Sequence, residues 1–170
     1  MLSMKAIQTD ITILSVDVIV NAANTSLLGG GGVDAAIHKA AGPELLAECR
    51  TVGGCPTGEA RLTAAYHLPA DWVVHTVGPV WHGGDRNEAE LLASCYYNSL
   101  TLAMAREAES VALPAISSGA FGYPIERAAR IAVKTCSEFQ QAHNGPKEII
   151  FACFDERSRV TYQSLLERFF

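Results

Sequence analysis

The sequence predicts an α/β protein: a central sheet, largely parallel or mixed, with helices on both faces. Three observations carry that prediction. Short apolar runs alternate with longer segments of helical composition along the chain, the order that builds strand–helix–strand units. The run over residues 16–22 is almost continuously apolar, which suits a strand buried on both faces. Two glycine-bearing loops each stand between a strand and a helix, where open α/β sheets take their ligands.

The elements follow in order. Residues 5–9 read as a strand leading into Asp10-Ile11-Thr12, and residues 16–22 as the second strand. Four consecutive glycines, residues 29–32, precede a helix over residues 34–41 that stops at Gly42-Pro43. A short helix over residues 43–50 starts with Pro43 in the favoured first turn. Strands are predicted over residues 59–65 and 72–77, divided by the Leu68-Pro69-Ala70 turn, and residues 78–85 form a loop rich in breakers. A long helix over residues 88–108, a strand over 111–116, the second glycine loop over 117–124 and a helix over Ile125–His143 come next. A strand over residues 148–154 and a helix over 158–169 close the chain.

At 170 residues, with no linker or composition shift, the chain is expected to be one domain. A composition 49% hydrophobic and 18% charged argues for a packed core and against disorder. The net charge of −5 and the lack of any basic run exclude broad nucleic-acid or anionic-membrane binding. A small phosphate-bearing ligand held by backbone dipoles stays open. Five widely spaced cysteines without a C-x-x-C argue against a disulfide framework or a zinc site and for reduced thiols in the cytoplasm. No signal-like N-terminus and no apolar run of spanning length is present, so a soluble, cytoplasmic protein with no membrane partner is expected.

The glycine run is the strongest pointer to a site. Four glycines cost chain entropy and pack nothing, but they let a ligand approach the backbone. Between a strand and a helix they aim N–H groups and a helix N-terminus at one spot, which suits an anion. The run is neither a P-loop, lacking Gly-Lys-Ser/Thr, nor a dinucleotide fingerprint with its ribose-binding acid. Asp34, at the start of the following helix, either caps it or presents a carboxylate to a ligand. Asn24 is a turn residue or a ligand for ribose hydroxyls, whereas Asn21 is expected to tie the loop to the strand through backbone hydrogen bonds. Asp10 either caps a turn or accepts a bond from an exocyclic amine. Phe121, flanked by Ala120 and Gly122, and Phe154, at a strand end, could pack on a sugar and a base. The histidines lack metal-ligand spacing: His38 is expected on the outer helix surface and His75 in the core. Ser117-Ser118 lacks the pattern of a nucleophile elbow.

These residues resemble the macrodomain family, in its MacroD-type class, over nearly the whole chain. The stretches concerned are T-D-I-T, V-I-V-N-A-A-N, G-G-G-G-V-D-A-A-I-H-K-A-A-G, C-P-T-G-E-A, V-V-H-T-V-G-P-V-W, P-A-I-S-S-G-A-F-G-Y-P and the C-terminal F-D-E. The class signature, Asn, six residues, then Gly-Gly-Val-Asp, is met by Asn24 through Asp34, and its aromatic glycine partner by Gly119-Ala120-Phe121-Gly122. The resemblance implies a three-layer α/β/α sandwich around a mixed, mostly parallel six-stranded sheet, with a cleft for ADP-ribose. It implies that Asp10 bonds the adenine amine, with Ile11 beside it and Phe154 facing the ring. Gly31, Gly32, Val33, Ser117, Ser118, Gly119, Ala120 and Gly122 would hold the diphosphate and distal ribose, and Phe121 would orient that ribose. Asn24 and Asp34 would carry catalysis. Thr9 departs from the glycine usual in the family before Asp-Ile-Thr. The implied activity is metal-free, cofactor-free hydrolysis of esters on the distal ribose, either O-acetyl-ADP-ribose or mono-ADP-ribose on protein Asp or Glu. Mono-ADP-ribosylated proteins would then be partners. A non-catalytic ADP-ribose reader and an ADP-ribose 1″-phosphate phosphatase are the alternatives.

Overall fold

The computed structural model describes residues 1–169. Its elements are β1 (Ser3–Gln8), a 3₁₀ turn (Ile11–Ile13), β2 (Val18–Ala22), α1 (Gly32–Ala41), α2 (Pro43–Val52), β3 (Ala60–Ala64) and β4 (Trp72–Thr76). They continue with α3 (Glu88–Ala105), β5 (Ser110–Leu113), α4 (Ile125–His143), β6 (Glu148–Cys153) and α5 (Glu156–Phe169). The strands form one six-stranded sheet in the order β1-β6-β5-β2-β4-β3. Among the described residues only β3 runs antiparallel to its neighbour β4; the other pairs are parallel. The expected mixed, mostly parallel six-stranded sheet is therefore observed.

Parallel pairing places the carboxyl ends of β1, β6, β5, β2 and β4 on one edge. Each of those strands delivers its following loop there. Side chains alternate across the sheet, and two core clusters result. Val18, Val20 and Val74 face Leu92, Tyr96 and Leu100 of α3, Ala128 and Ala132 of α4, and Tyr162 of α5. Ile19 and Val73 face Ile37 and Ala41 of α1, and Leu45 and Cys49 of α2. Val18, Ile19 and Val20 are wholly buried, as the unbroken apolar run requires, each side chain stabilising the fold by roughly 1.5–3 kcal/mol. The five cysteines are buried and unpaired. Among the described residues no helix is long and apolar enough to cross a membrane.

Most predicted elements shift at their ends by a few residues, and α4 matches its expected span. The informative difference is α1, which begins at Gly32 rather than at residue 34, with Gly31 as a cap that offers no side-chain bond. Asp34 is thus the third helical residue and does not cap the helix. The breaker-rich loop before α3 has an anchor of its own. Glu88, buried at the start of α3, accepts the N–H groups of His82 (2.8 Å) and Gly84 (3.0 Å) on Oε2 and that of Arg86 (2.6 Å) on Oε1. Burial works to raise the pKa of this carboxyl, but the amide hydrogen bonds outweigh it and pull the value down to about 2.

Candidate active site

The first loop is organised by Asn24. Its Oδ1 accepts the N–H and Oγ–H of Ser26 (3.2 and 2.7 Å) and the N–H of Leu27 (3.2 Å), and its Nδ2 donates to the Gly29 carbonyl (2.9 Å). The side chain is the turn residue the sequence allowed, and it also faces the glycine run. A Cβ placed on Gly30 would lie 3.0 Å from Asp34 Oδ2 and 3.3 Å from Asn24 Nδ2. Gly30 therefore stands between the two polar side chains, where any substituent would crowd both. Gly29 and Gly32 have φ of +98° and +57°, so the turn into α1 runs through left-handed backbone. Gly32, Val33 and Asp34 are the first residues of α1, whose N–H groups have no carbonyl partner within the helix. The positive end of the helix dipole lies at the same place.

Asp34 is 4% exposed, and its carboxylate is held from within the protein. Oδ1 accepts from Asn21 Nδ2 at 2.7 Å and lies 3.4 Å from Nε2 of His38, one turn on. Two expectations are corrected here. Asn21 acts through its side chain rather than the backbone, because it lies on β2 beneath α1. His38 turns inward rather than outward, because its i,i+4 spacing puts it on the face of α1 that carries Asp34 and Ile37.

Beyond Asn21 the polar contacts continue across the sheet. Asn21 Nδ2 is 3.1 Å from His75 Nδ1, and His75 Nε2 is 2.9 Å from Thr63 Oγ1. Thr63 donates its hydroxyl to the Ala64 carbonyl at 3.1 Å. These bonds define the polarity. Thr63 Oγ1 accepts from His75 Nε2–H, and His75 Nδ1, unprotonated, accepts from Asn21. His75 is buried, as expected, and burial, with a smaller contribution from His38, pushes its pKa down to about 3, so the ring is neutral at ordinary pH. Both amide hydrogens of Asn21 are engaged, while its Oδ1 is buried without a partner among the described residues, a loss of roughly 1–3 kcal/mol.

The second loop is fixed from behind. Ser117 adopts φ +66°, sparsely populated for a residue with a Cβ, and donates its Oγ–H to the Pro79 carbonyl at 2.8 Å. Ser118 Oγ donates to the Ala115 carbonyl at 3.2 Å. The turn closes with Gly122 N–H on Gly119 O and Tyr123 N–H on Ser117 O, and Trp81 N–H bonds the Phe121 carbonyl at 2.8 Å. The N–H groups of Ser118, Gly119, Ala120 and Phe121 have no acceptor among the described residues. Phe121 is half-buried and Gly119, Ala120 and Gly122 are exposed.

At the far end of the edge, Thr9 N–H bonds the Cys153 carbonyl at 3.0 Å, so the residues that follow, Asp10 and Phe154, emerge side by side. Asp10 Oδ1 accepts from Thr12 Oγ1 (2.7 Å) and Thr12 N–H (2.9 Å), which lowers its pKa. Ile11 is buried in the core, whereas Phe154 is 92% exposed. Sheet order then arranges the site: Asp10, Phe154, the loop of residues 117–122, and the loop of residues 24–34 follow β1, β6, β5 and β2 in turn. Three strand spacings, about 14 Å, separate the ends.

Sequence reading did not single out Gly30, placed His38 outside the site, and missed the partnership of Asn21 with Asp34. The i,i+4 spacing of Asp34 and His38 was the available signal for the second. Nothing in a run of four glycines marks which one faces the carboxylate.

An α/β protein with two amide-lined loops on one sheet edge and a buried carboxylate at the end of one of them offers donors of the kind that an elongated, phosphate-bearing ligand needs. Residues 20–132 match the model of the macro domain family. A macro domain-containing protein of Chlorobaculum tepidum is 60% identical, the match covering 95% of this chain and 94% of that protein. The O-acetyl-ADP-ribose deacetylase of Escherichia coli K12 is 58% identical, with 94% and 93% covered. Among solved structures, the Oceanobacillus iheyensis macrodomain superposes with a TM-score of 0.91 at 44% identity, covering 96% of this chain and 90% of that one. The Trypanosoma brucei macrodomain in complex with ADP-ribose does so with a TM-score of 0.90 at 44% identity, covering 96% and 68%. The chain belongs to the macro domain family.

Proposed function

We propose that this protein binds ADP-ribose along the carboxyl edge of its sheet and hydrolyses esters on the distal ribose, O-acetyl-ADP-ribose first among them. The observation that carries the reading is the placement of Asp34: a buried carboxylate, Oδ1 committed to Asn21 and Oδ2 turned to Gly30 and Asn24, at the mouth of an amide-lined loop. The deacetylase name of the Escherichia coli relative and the ADP-ribose complex of the Trypanosoma neighbour support it.

The adenine end of the ligand lies at Asp10 and Phe154, with the Ile11 backbone beside it. The diphosphate lies between the N–H groups of Gly31, Gly32 and Val33 and those of the Ser118–Phe121 turn. The distal ribose reaches Asn24, Asp34 and Phe121. Asp34 Oδ2 orients a ribose hydroxyl and the attacking water. Water adds to the ester carbonyl carbon and passes a proton to an oxygen of the ligand's diphosphate. Loop N–H groups stabilise the oxyanion, and collapse releases acetate as the ribose oxygen regains a proton. Holding water and ester in an attack geometry can lower the barrier by roughly 7–11 kcal/mol. Esters of mono-ADP-ribose on protein Asp or Glu present the same carbonyl and are the second substrate class. Five buried thiols support a reducing, cytoplasmic setting.

The test offers purified protein O-acetyl-ADP-ribose and, separately, a protein mono-ADP-ribosylated on Glu, beside an Asp34→Ala variant. Release of acetate or free ADP-ribose by the wild type and not by the variant is expected. ADP-ribose binding without product from either ester would leave a reader instead. Full activity of Asp34→Ala would remove that residue from the mechanism.

A further inference from the structure

We infer that Thr63 and His75 are positioning residues for the hydrolytic step, setting through Asn21 which oxygen of Asp34 faces the ligand. The inference rests on the proposed role of Asp34. The polar chain crosses three neighbouring strands, from Thr63 on β3 through His75 on β4 to Asn21 on β2, and ends on Asp34 of α1. Its members are at most 4% exposed. Asn21 and His75 are directly opposite in the β2–β4 register, so the contact is built into the sheet.

The direction of the chain makes it more than core filling. The Asn21 amide sits between two acceptors, Asp34 Oδ1 and His75 Nδ1, and only its NH₂ group satisfies both. Turning the amide over would set its oxygen against a carboxylate oxygen and a ring lone pair. The unpartnered Oδ1 of Asn21 follows from that requirement. His75 can accept at Nδ1 only in the tautomer protonated at Nε2, and Thr63 Oγ1, its own proton spent on the Ala64 carbonyl, holds that tautomer. Cys49 Sγ, 3.9 Å from the same nitrogen, is a weaker acceptor.

Removing the Thr63 oxygen therefore releases the tautomer. A proton on Nδ1 would oppose the Asn21 NH₂, the amide would turn, and Asp34 would lose its 2.7 Å bond at Oδ1. The carboxylate would then rotate away from Gly30 and the ligand. A loss of orientation lowers turnover more than binding.

The experiment compares kcat and KM for O-acetyl-ADP-ribose, the Kd for ADP-ribose by calorimetry, and thermal melting for Thr63→Val, Thr63→Ser, His75→Gln and His75→Phe. Thr63→Val, isosteric but without the hydroxyl, is expected to lower kcat about tenfold while KM and Kd stay within about twofold, a fraction of the ~100-fold that a 1 Å misplacement can cost. Thr63→Ser restores the rate, and His75→Gln, which offers an acceptor and a donor, outperforms His75→Phe. The inference falls if Thr63→Val turns over like wild type, if Thr63→Ser is as slow as Thr63→Val, or if KM and Kd worsen as much as kcat. Should Thr63→Val fail to fold, equal rates in the two His75 variants overturn it. A wild type that binds ADP-ribose yet cleaves no ester sinks the proposed activity itself, a result distinct from all of these.

Discussion

The two ends of the candidate cleft are made differently. At the β1–β6 end, Asp10 is exposed and its carboxylate is bonded to Thr12, two residues away, while Phe154 is 92% exposed. At the β2 end, Asp34 is 4% exposed and tied to residues 13, 41 and 29 positions apart along the chain, Asn21, His75 and Thr63. Local, solvated contacts leave a side chain free to adapt to what it meets. A buried chain spanning several strands leaves one arrangement. The first end is suited to adding affinity, the second to fixing geometry.

Substitutions can break that division, and the largest effect belongs to the buried end. Asp34→Ala is expected to lower kcat on O-acetyl-ADP-ribose by about 100-fold or more, with ADP-ribose affinity in calorimetry changed far less. Parallel losses in both would erase the distinction. Gly30→Val comes next: its side chain would press on Asp34 Oδ2 and Asn24 Nδ2, and turnover should fall by about 100-fold in a protein whose circular dichroism stays native. A variant as active as wild type would show that Gly30 does not border the reacting groups. At the open end, Phe154→Ala should weaken ADP-ribose binding by about 1–3 kcal/mol, the worth of a base–aromatic stack, and leave kcat alone. A drop in kcat with unchanged Kd would reverse the roles assigned to the two ends.

The last pair of predictions concerns stability against pH, away from turnover and binding. His75 has its pKa lowered from 6.5 to about 3. Between those values the unfolded chain binds a proton that the folded protein does not, so stability falls as pH drops through that window. His75→Gln should flatten this part of the curve in urea titrations. Glu88, lowered from 4.5 to about 2, gives stability that is complete above about 4.5 and lost as pH falls towards 2. Glu88→Gln should remove that lower limb and leave the upper one. Identical curves for wild type and variant would refute either assignment.

Much of the fold was legible because its signals are local. The unbroken apolar run ending in Ala22 marked a strand buried on both faces, Gly42-Pro43 marked the α1–α2 junction, and α4 kept its expected bounds. The start of α1 was not legible, because Gly31 caps it without a side chain and nothing in the glycine run marks the first helical residue. In the site, Asn24 and Asp34 stood out by their spacing around the glycines. Asn21, His75 and Thr63 did not, since strand order brings them together and that order is set by the whole sheet. His38 was readable from its i,i+4 spacing to Asp34, yet a lone histidine on a short helix is more often exposed.

Glu88 carries one more consequence. Its carboxylate sits in a nest of amides donated by His82, Gly84 and Arg86, an internal counterpart of the geometry the two glycine loops offer to an external anion. The chain thus applies one solution of anion chemistry to a carboxylate of its own. Because that nest is filled by a residue of the protein, the N–H groups of His82, Gly84 and Arg86 are already committed and have nothing to offer a second anion.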